Sequence, residues 1–170
     1  MASDVGGQGM TTAEAADAST APLEADGYAT TRPGVGAMVL VADCLPVALA
    51  TGGAVAMLHA GWRGLQGGVL EEGVRALGEL GGTGPIVAAI GPGAGVCCYE
   101  VGEEVHAAFD NSHRQGRHLD LRAIAQERLS RAGVHDIQDE ARCTICAAGL
   151  FSHRREGVRS GRQAGVAWLR

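Results

Sequence analysis

GAMVLVADCLPVALATGGAVAMLHAGWRGLQGG, residues 36–68, holds two apolar runs of strand length, 37–41 and 54–58. Each run delivers one metal-competent, nucleophile-competent side chain where its apolar pattern ends: Cys44 after the first and His59 after the second. Set side by side as buried strands, the runs bring these polar ends together across the fifteen positions (59 minus 44) that separate them. Residues 47–50 are extended, Thr51-Gly52-Gly53 turns the chain and 54–59 returns, so a hairpin is expected, with Cys44 before its first arm and His59 ending its second. Pro46 cannot donate to a ladder, so 42–46 is expected to leave the sheet as a site loop. Ala60-Gly61-Trp62-Arg63-Gly64 then reads as a tight turn that opens a helix and sets Arg63 beside the site.

Downstream, apolar residues at 65, 69, 70, 74, 77 and 80 have a helical period, with Glu71 and Arg75 spaced as an i,i+4 pair. Gly67, Gly68 and Gly73 each weaken that helix by up to ~1 kcal/mol, tolerable where a helix presses closely on a sheet, and Gly81-Gly82 stops it. A buried strand is expected at 85–90. The glycine-rich 91–95 connection reads either as a backbone cradle for an anion or as a plain turn. Glu103 and Glu104 suit the start of a short helix at 102–109, and Asp120 is a good N-cap for a helix at 121–132 with Leu121, Ile124, Ala125 and Leu129 inward. The remaining strands are read at 134–138 and 165–169. Upstream, 25–31 reads as a short strand, 32–34 as a turn and 35–41 as the first buried strand. Residues 1–24, with no apolar period, form an irregular arm, leaving 25–170 as one α+β domain.

Hydrophobic content of 46% over 170 residues suits one domain with a sizeable core, and 4% aromatics leave Val, Leu, Ile and Ala to build it. A net charge of −5 argues against a nucleic-acid partner, and no apolar run is long enough for a membrane span. The charge is uneven: residues 1–85 carry three Arg against nine acids, and 142–170 carry six Arg against Glu156 alone, so an anion site near the C-terminus and a solvated basic tail are both open readings. Five cysteines, an odd count including an adjacent pair and without a signal peptide, point to a reducing cytoplasm rather than a disulfide scaffold.

Four spaced motifs, ADCLPV and HAGWRG in the opening stretch, GPGAGVCCYEVG at 91–102 and FSHRR…SGRQAG at 151–165, resemble the laccase-domain family, also called polyphenol oxidase or peptidoglycan-editing homologues. The resemblance runs from about residue 25 to the C-terminus. It implies an α+β fold of layered mixed β-sheets flanked by helices (α/β/β/α), like that of deamidase toxins. It also implies a zinc held by one Cys and two His, purine nucleoside phosphorylase activity and adenosine deamination; the older laccase label implies copper. Mapped onto this sequence, the metal ligands are Cys44 and His59, with Arg63 completing the catalytic set. Arg63, Tyr99, Glu100, Arg154, Arg155 and Arg162 are the implied substrate and phosphate contacts. Family members carry a further ligand in a His-Gly motif upstream of the ADC motif. No His precedes His59, so the chain is expected to be an N-terminally shortened member, and its Cys44/His59 pair to hold metal weakly.

From the residues alone, Cys44 with His59 reads as part of a catalytic zinc site, as a Cys nucleophile with a His base, or as a buried Cys beside an incidental His. His106, His113, His118, His135, His153 and the other thiols are the available third ligands, and Cys143-x-x-Cys146 is a half zinc knuckle or redox pair without a second CxxC. Arg63 reads as a phosphate ligand near a helix N-terminus or as a surface Arg packed over Trp62. The expected partners are purine nucleosides and phosphate, with self-association through an apolar sheet face left uncovered. The rival functions are a metal-free Cys–His hydrolase or deamidase and a non-catalytic remnant.

Overall fold

The protein is described by a computed structural model at residues 10–12 and 25–170. In chain order the elements are β1 (Met10–Thr12), β2 (Gly27–Thr30), β3 (Gly36–Val41), β4 (Leu45–Gly52), β5 (Ala54–Ala60), α1 (Trp62–Gln66), α2 (Val69–Glu79) and β6 (Thr83–Ile90). There follow α3 (Glu103–Ala107), β7 (Arg114–Gln115), β8 (His118–Leu119), α4 (Leu121–Arg131), β9 (Asp136–Asp139), α5 (His153–Glu156) and β10 (Gln163–Trp168). β1 lies within the arm read as irregular and pairs in parallel with β2; the rest of that arm is outside the described residues.

The expected hairpin is β4–β5, at the centre of a six-stranded mixed sheet ordered β1-β2-β5-β4-β6-β9. Its two faces do different work. Leu45, Val47 and Leu49 of β4, with Ala56, Leu58 and Ala60 of β5, face the helices and join Leu65, Leu70, Leu77, Ile124 and Leu129 in the main core. Fully burying each Leu or Ile stabilises the fold by roughly 1.5–3 kcal/mol relative to exposure. Met57, on the other face of β5, packs with Ala37, Val39 and Val41 in a second, smaller cluster. A strand buried on both faces reads as a continuous apolar run, which is how 54–58 reads.

β3 does not join the main sheet. It pairs antiparallel with β10, Val41 opposite Gln163 and Gly36 opposite Trp168, and this two-stranded sheet lies against β5. The result is the expected layered α+β arrangement, a mixed sheet stacked on a smaller antiparallel one with flanking helices. The outward face of the small sheet carries Met38, Leu40, Val166 and Trp168, all exposed.

Three local readings are corrected. The strand resumes at Leu45, so the loop is only 42–44, and Pro46 sits opposite His59 in the ladder. Pairing of β4 with β6 starts one residue later, at Val47, which is why the missing N–H is tolerated there. The helix read over 65–80 is two helices, broken where Gly68 turns left-handed (φ 85°). Arg75 pairs with Glu72 and Glu79, whereas Glu71 reaches Arg128 of α4 at 3.1 Å and ties the two long helices together. Asp120 caps α4 as expected, its carboxylate accepting from the Ala123 N–H at 3.0 Å.

Candidate functional site

The register of the hairpin builds the site. Leu45 lies opposite Ala60 and Pro46 opposite His59, so Cys44, one residue before β4, comes level with the end of β5. The turn Gly61–Gly64 crosses in front of both. A Cβ at Gly61 would stand 2.9 Å from Cys44 Sγ and 3.9 Å from His59 Nε2, so the glycine leaves open the space on which thiol and imidazole converge. A cavity of about 170 Å³ opens there, lined by Asp26, Cys44, His59, Gly61, Trp62, Arg63 and Gly64. A larger cavity of about 440 Å³, between β10 and the β6–β9 edge, has no thiol, imidazole or guanidinium in its lining.

Burial sets the protonation of the pair. It pushes the Cys44 thiol up to about 11, with Asp43 and Asp26 adding to the rise and Arg154 and Arg162 opposing it. Burial also lowers His59, against the pull of Asp26. Both side chains are therefore neutral near pH 7. Asp26, just before β2, accepts a hydrogen bond from the His59 N–H through its backbone carbonyl at 2.7 Å. Nothing in the sequence around it marks a site residue.

Asp43 is the other participant not recognised from sequence. It is 5% exposed and holds a left-handed backbone (φ 87°), which Asp tolerates better than most residues. Its Oδ1 accepts from the Thr144 hydroxyl and its Oδ2 from the Arg154 N–H, both at 2.7 Å, while its carbonyl accepts from the Ala94 N–H at 2.7 Å. One residue thus fastens three distant loops behind Cys44, two through its carboxylate and one through its carbonyl.

The basic residues divide. Arg63 stacks over Trp62 with 4.3 Å to the ring centroid and lines the cavity; α1 behind it is only five residues long. Arg154 lies 4.8 Å from the ring centroid of buried Tyr99 and donates to the Glu100 carbonyl at 2.6 Å. Burial raises Tyr99 to about 12. Glu100 ion-pairs with Arg117. Arg155 donates to the carbonyls of Thr144, Ile145, Ala147 and Leu150, so its guanidinium organises that turn. Arg162 donates to the carbonyls of Ser160 and Gly161.

Among the described residues, no third His, Cys, Asp or Glu forms a tight ligand cluster with Cys44 and His59. His106 is fully buried in α3, His113 pairs with Glu127, His118 lies in β8, and His135 and His153 are exposed. In kind the donors suit zinc: a thiol and an imidazole flank the Gly61 gap, and Asp26 is in the same lining. A blue-copper set needs two imidazoles beside the thiol, and the described residues bring one. Elsewhere, Cys97, Cys98, Cys143 and Cys146 place their four sulfurs within 4.8 Å of one another, a group able to hold a metal ion. Burial works against the Cys143 thiolate, but the N–H groups of Cys146 and Gly95, together with the Cys146 and Cys97 thiols, outweigh it and bring that thiol to about 7.

The sequence model of the multi-copper polyphenol oxidoreductase laccase family matches residues 2–170. A purine nucleoside phosphorylase of Xylella fastidiosa (strain Temecula1) is 42% identical over 163 residues, covering 85% of this chain and 61% of that protein. The Escherichia coli K12 purine nucleoside phosphorylase YfiH is 36% identical, covering 88% of this chain and 65% of the relative. The crystal structure of YlmD from Geobacillus stearothermophilus superposes with a TM-score of 0.84 at 30% identity, covering 98% of this chain and 71% of that one. The chain thus spans about three fifths to seven tenths of the length of the curated relatives it matches. No helix among the described residues is long and apolar enough to cross a membrane.

Proposed function

Because the chain belongs to the multi-copper polyphenol oxidoreductase laccase family, we propose that it acts as a purine nucleoside phosphorylase on adenosine, inosine and methylthioadenosine, in a cytoplasmic setting. The observation that carries this reading is the convergence of Cys44 and His59 on the Gly61 gap, with Arg63 in the same cavity. In phosphorolysis an oxygen of inorganic phosphate bonds to C1′ of the ribose, the C1′–N9 bond breaks, and its electron pair leaves with the purine, which takes up a proton. Arg63 grips the phosphate with its planar fork, and Arg154 and Arg162, whose charges already act on Cys44, hold the negative charge in place. Tyr99 and Glu100 border the nucleoside. A cavity of about 170 Å³ is smaller than the usual ~300–1,000 Å³ of ligand pockets, so it takes the phosphate and the reacting end of the ribose.

Cys44 and His59, with Asp26 in the lining of the same cavity, are the residues that would hold zinc. Bound there, zinc supplies an activated water, the requirement of adenosine deamination as a second activity. The metal-free Cys–His alternative is disfavoured by the burial of both groups, which keeps Cys44 a thiol and His59 neutral at pH 7 rather than an ion pair.

The test is phosphate-dependent release of hypoxanthine from inosine. The wild-type chain is expected to produce it, and Cys44→Ala and His59→Ala each to lower kcat/KM by at least ~10-fold, or ~1.4 kcal/mol, with an unchanged thermal melt. Activity indifferent to both substitutions refutes the site. An inactive, well-folded wild type favours the remnant reading.

Self-association belongs to the same proposal. Met38, Leu40, Val166 and Trp168 form a contiguous apolar surface on β3 and β10, each 45–55% exposed. Light scattering is expected to give a mass above the monomer that rises with concentration, and Leu40→Lys to return it to the monomer. A monomer at every concentration contradicts this.

A further inference from the structure

We propose that Cys97, Cys98, Cys143 and Cys146 hold a structural zinc ion in a closed four-thiolate site, independent of Cys44 and His59. The four sulfurs lie within 4.8 Å of one another, with Cys98 to Cys146 at 2.9 Å and Cys97 to Cys146 at 3.5 Å. A tetrahedron with Zn–S bonds of ~2.3 Å has edges of ~3.8 Å, so small side-chain rotations turn this cluster into that figure. Four soft donors and no oxygen or nitrogen select zinc over magnesium or calcium. The second half of the Cys143-x-x-Cys146 knuckle is the adjacent pair Cys97-Cys98, which the fold delivers from a different loop.

The backbone around the sulfurs is shaped for them. The Gly95 N–H donates to Cys143 Sγ at 3.2 Å, an outer hydrogen bond that orients a thiolate ligand. A Cβ at Gly95 would stand 3.0 Å from Cys143 Cβ and 3.3 Å from both Cys143 Sγ and Cys97 Sγ, so glycine lets this loop close around the cluster without displacing it. Gly93 and Cys143 form an isolated parallel bridge that sets the two loops side by side.

The site also answers a structural need. Residues 140–152 contain neither helix nor strand, and Thr144 and Ser152 are the only ones among them that are buried. A metal crosslink between loops 48–49 positions apart supplies the constraint that apolar packing does not. Its effect reaches the candidate site through Thr144, one residue from Cys143, whose hydroxyl donates to Asp43 beside Cys44. Cys97 and Cys146 are exposed, which gives the ion a path in and a chelator a path out.

The experiment uses the full chain purified under reducing conditions without chelator, with zinc measured per chain. Wild type and the Cys44→Ala/His59→Ala double variant are both expected to retain about one tightly held zinc, and Cys98→Ser/Cys146→Ser to lose it. The cobalt(II)-loaded Cys44→Ala/His59→Ala variant should show sulfur-to-metal charge-transfer bands with intense tetrahedral d–d bands, and X-ray absorption of its zinc form an all-sulfur first shell. These measurements decide the matter even if the serine variant misfolds. Zinc lost with Cys44 and His59, a first shell containing nitrogen or oxygen in that variant, a metal-free wild type or a Cys98–Cys146 disulfide in its place overturns the proposal. None of these outcomes depends on phosphorolysis, so the site and the proposed activity fail separately.

Discussion

Arg122→Met is expected to destabilise the protein by about 3–5 kcal/mol, the cost of leaving a buried charge without its partner. Arg122 has 11% of its side chain exposed and ion-pairs with Asp139, whose side chain is 16% exposed. Its other Nη group donates to the carbonyls of Gly91 and Arg142, each at 3.1 Å. One guanidinium on α4 therefore holds the ends of β6 and β9 and the start of both cysteine-bearing loops. Removing it strands the Asp139 carboxylate with Gln126 as its remaining side-chain donor, at 2.9 Å, takes the guanidinium from the Gly91 carbonyl and leaves the Arg142 carbonyl with the Gly93 N–H at 3.3 Å. Urea denaturation should show a fall in midpoint at nearly constant slope, and the melting temperature should drop by about 10 °C for a domain of this size. Arg122→Met combined with Asp139→Leu should recover part of the loss, because the double change removes the stranded charge. A loss under ~1 kcal/mol for the single variant would place this pair with ordinary surface ion pairs and refute the argument.

Asp43→Ala is expected to cost about 3–4 kcal/mol and to disorder the Cys44 loop. Two hydrogen bonds to a buried carboxylate disappear, each worth ~1.5–3 kcal/mol, and the Thr144 hydroxyl loses its acceptor. Alanine also sits poorly at φ 87°, at a further ~1–2 kcal/mol, some of which is recovered as the loop relaxes. Two companions separate these contributions. Asp43→Gly restores the backbone but neither bond. Asp43→Asn accepts the backbone conformation and keeps one acceptor, but turns an N–H toward either the Thr144 hydroxyl or the Arg154 N–H. The expected order of stability is wild type, Asn, Gly, Ala. If Gly matches wild type in urea melts, the carboxylate is not the fastening it is taken for.

What was legible from sequence was whatever depended on near neighbours. The β4–β5 hairpin, its delivery of Cys44 and His59 to one place, the Asp120 cap and the inward side of α4 all follow from apolar period and local hydrogen bonding. Pro46 misled because a ladder tolerates proline where cross-strand pairing has only begun on one side. Glu71 misled because spacing offers Arg75 as a partner, while the fold offers Arg128 from 57 positions away. The fastening of Asp43 spans 101 and 111 positions and the cysteine cluster 48–49, distances over which no periodicity carries information. Asp26 is hidden for a simpler reason: an acid before a short strand is indistinguishable from a solvated turn residue until the sheet forms around it.

The pairing of β3 with β10 governs when this protein can finish folding on the ribosome. Val41 finds its partner Gln163 only after another 122 residues (163 minus 41) have been synthesised. At ~5–20 residues per second that is roughly 6–24 s during which an apolar strand, joined directly to the Cys44 loop, waits without its ladder. Throughout that interval the nascent chain carries an unpaired apolar strand open to wrong partners, and a pause between the two strands lengthens the wait whereas one before β3 does not.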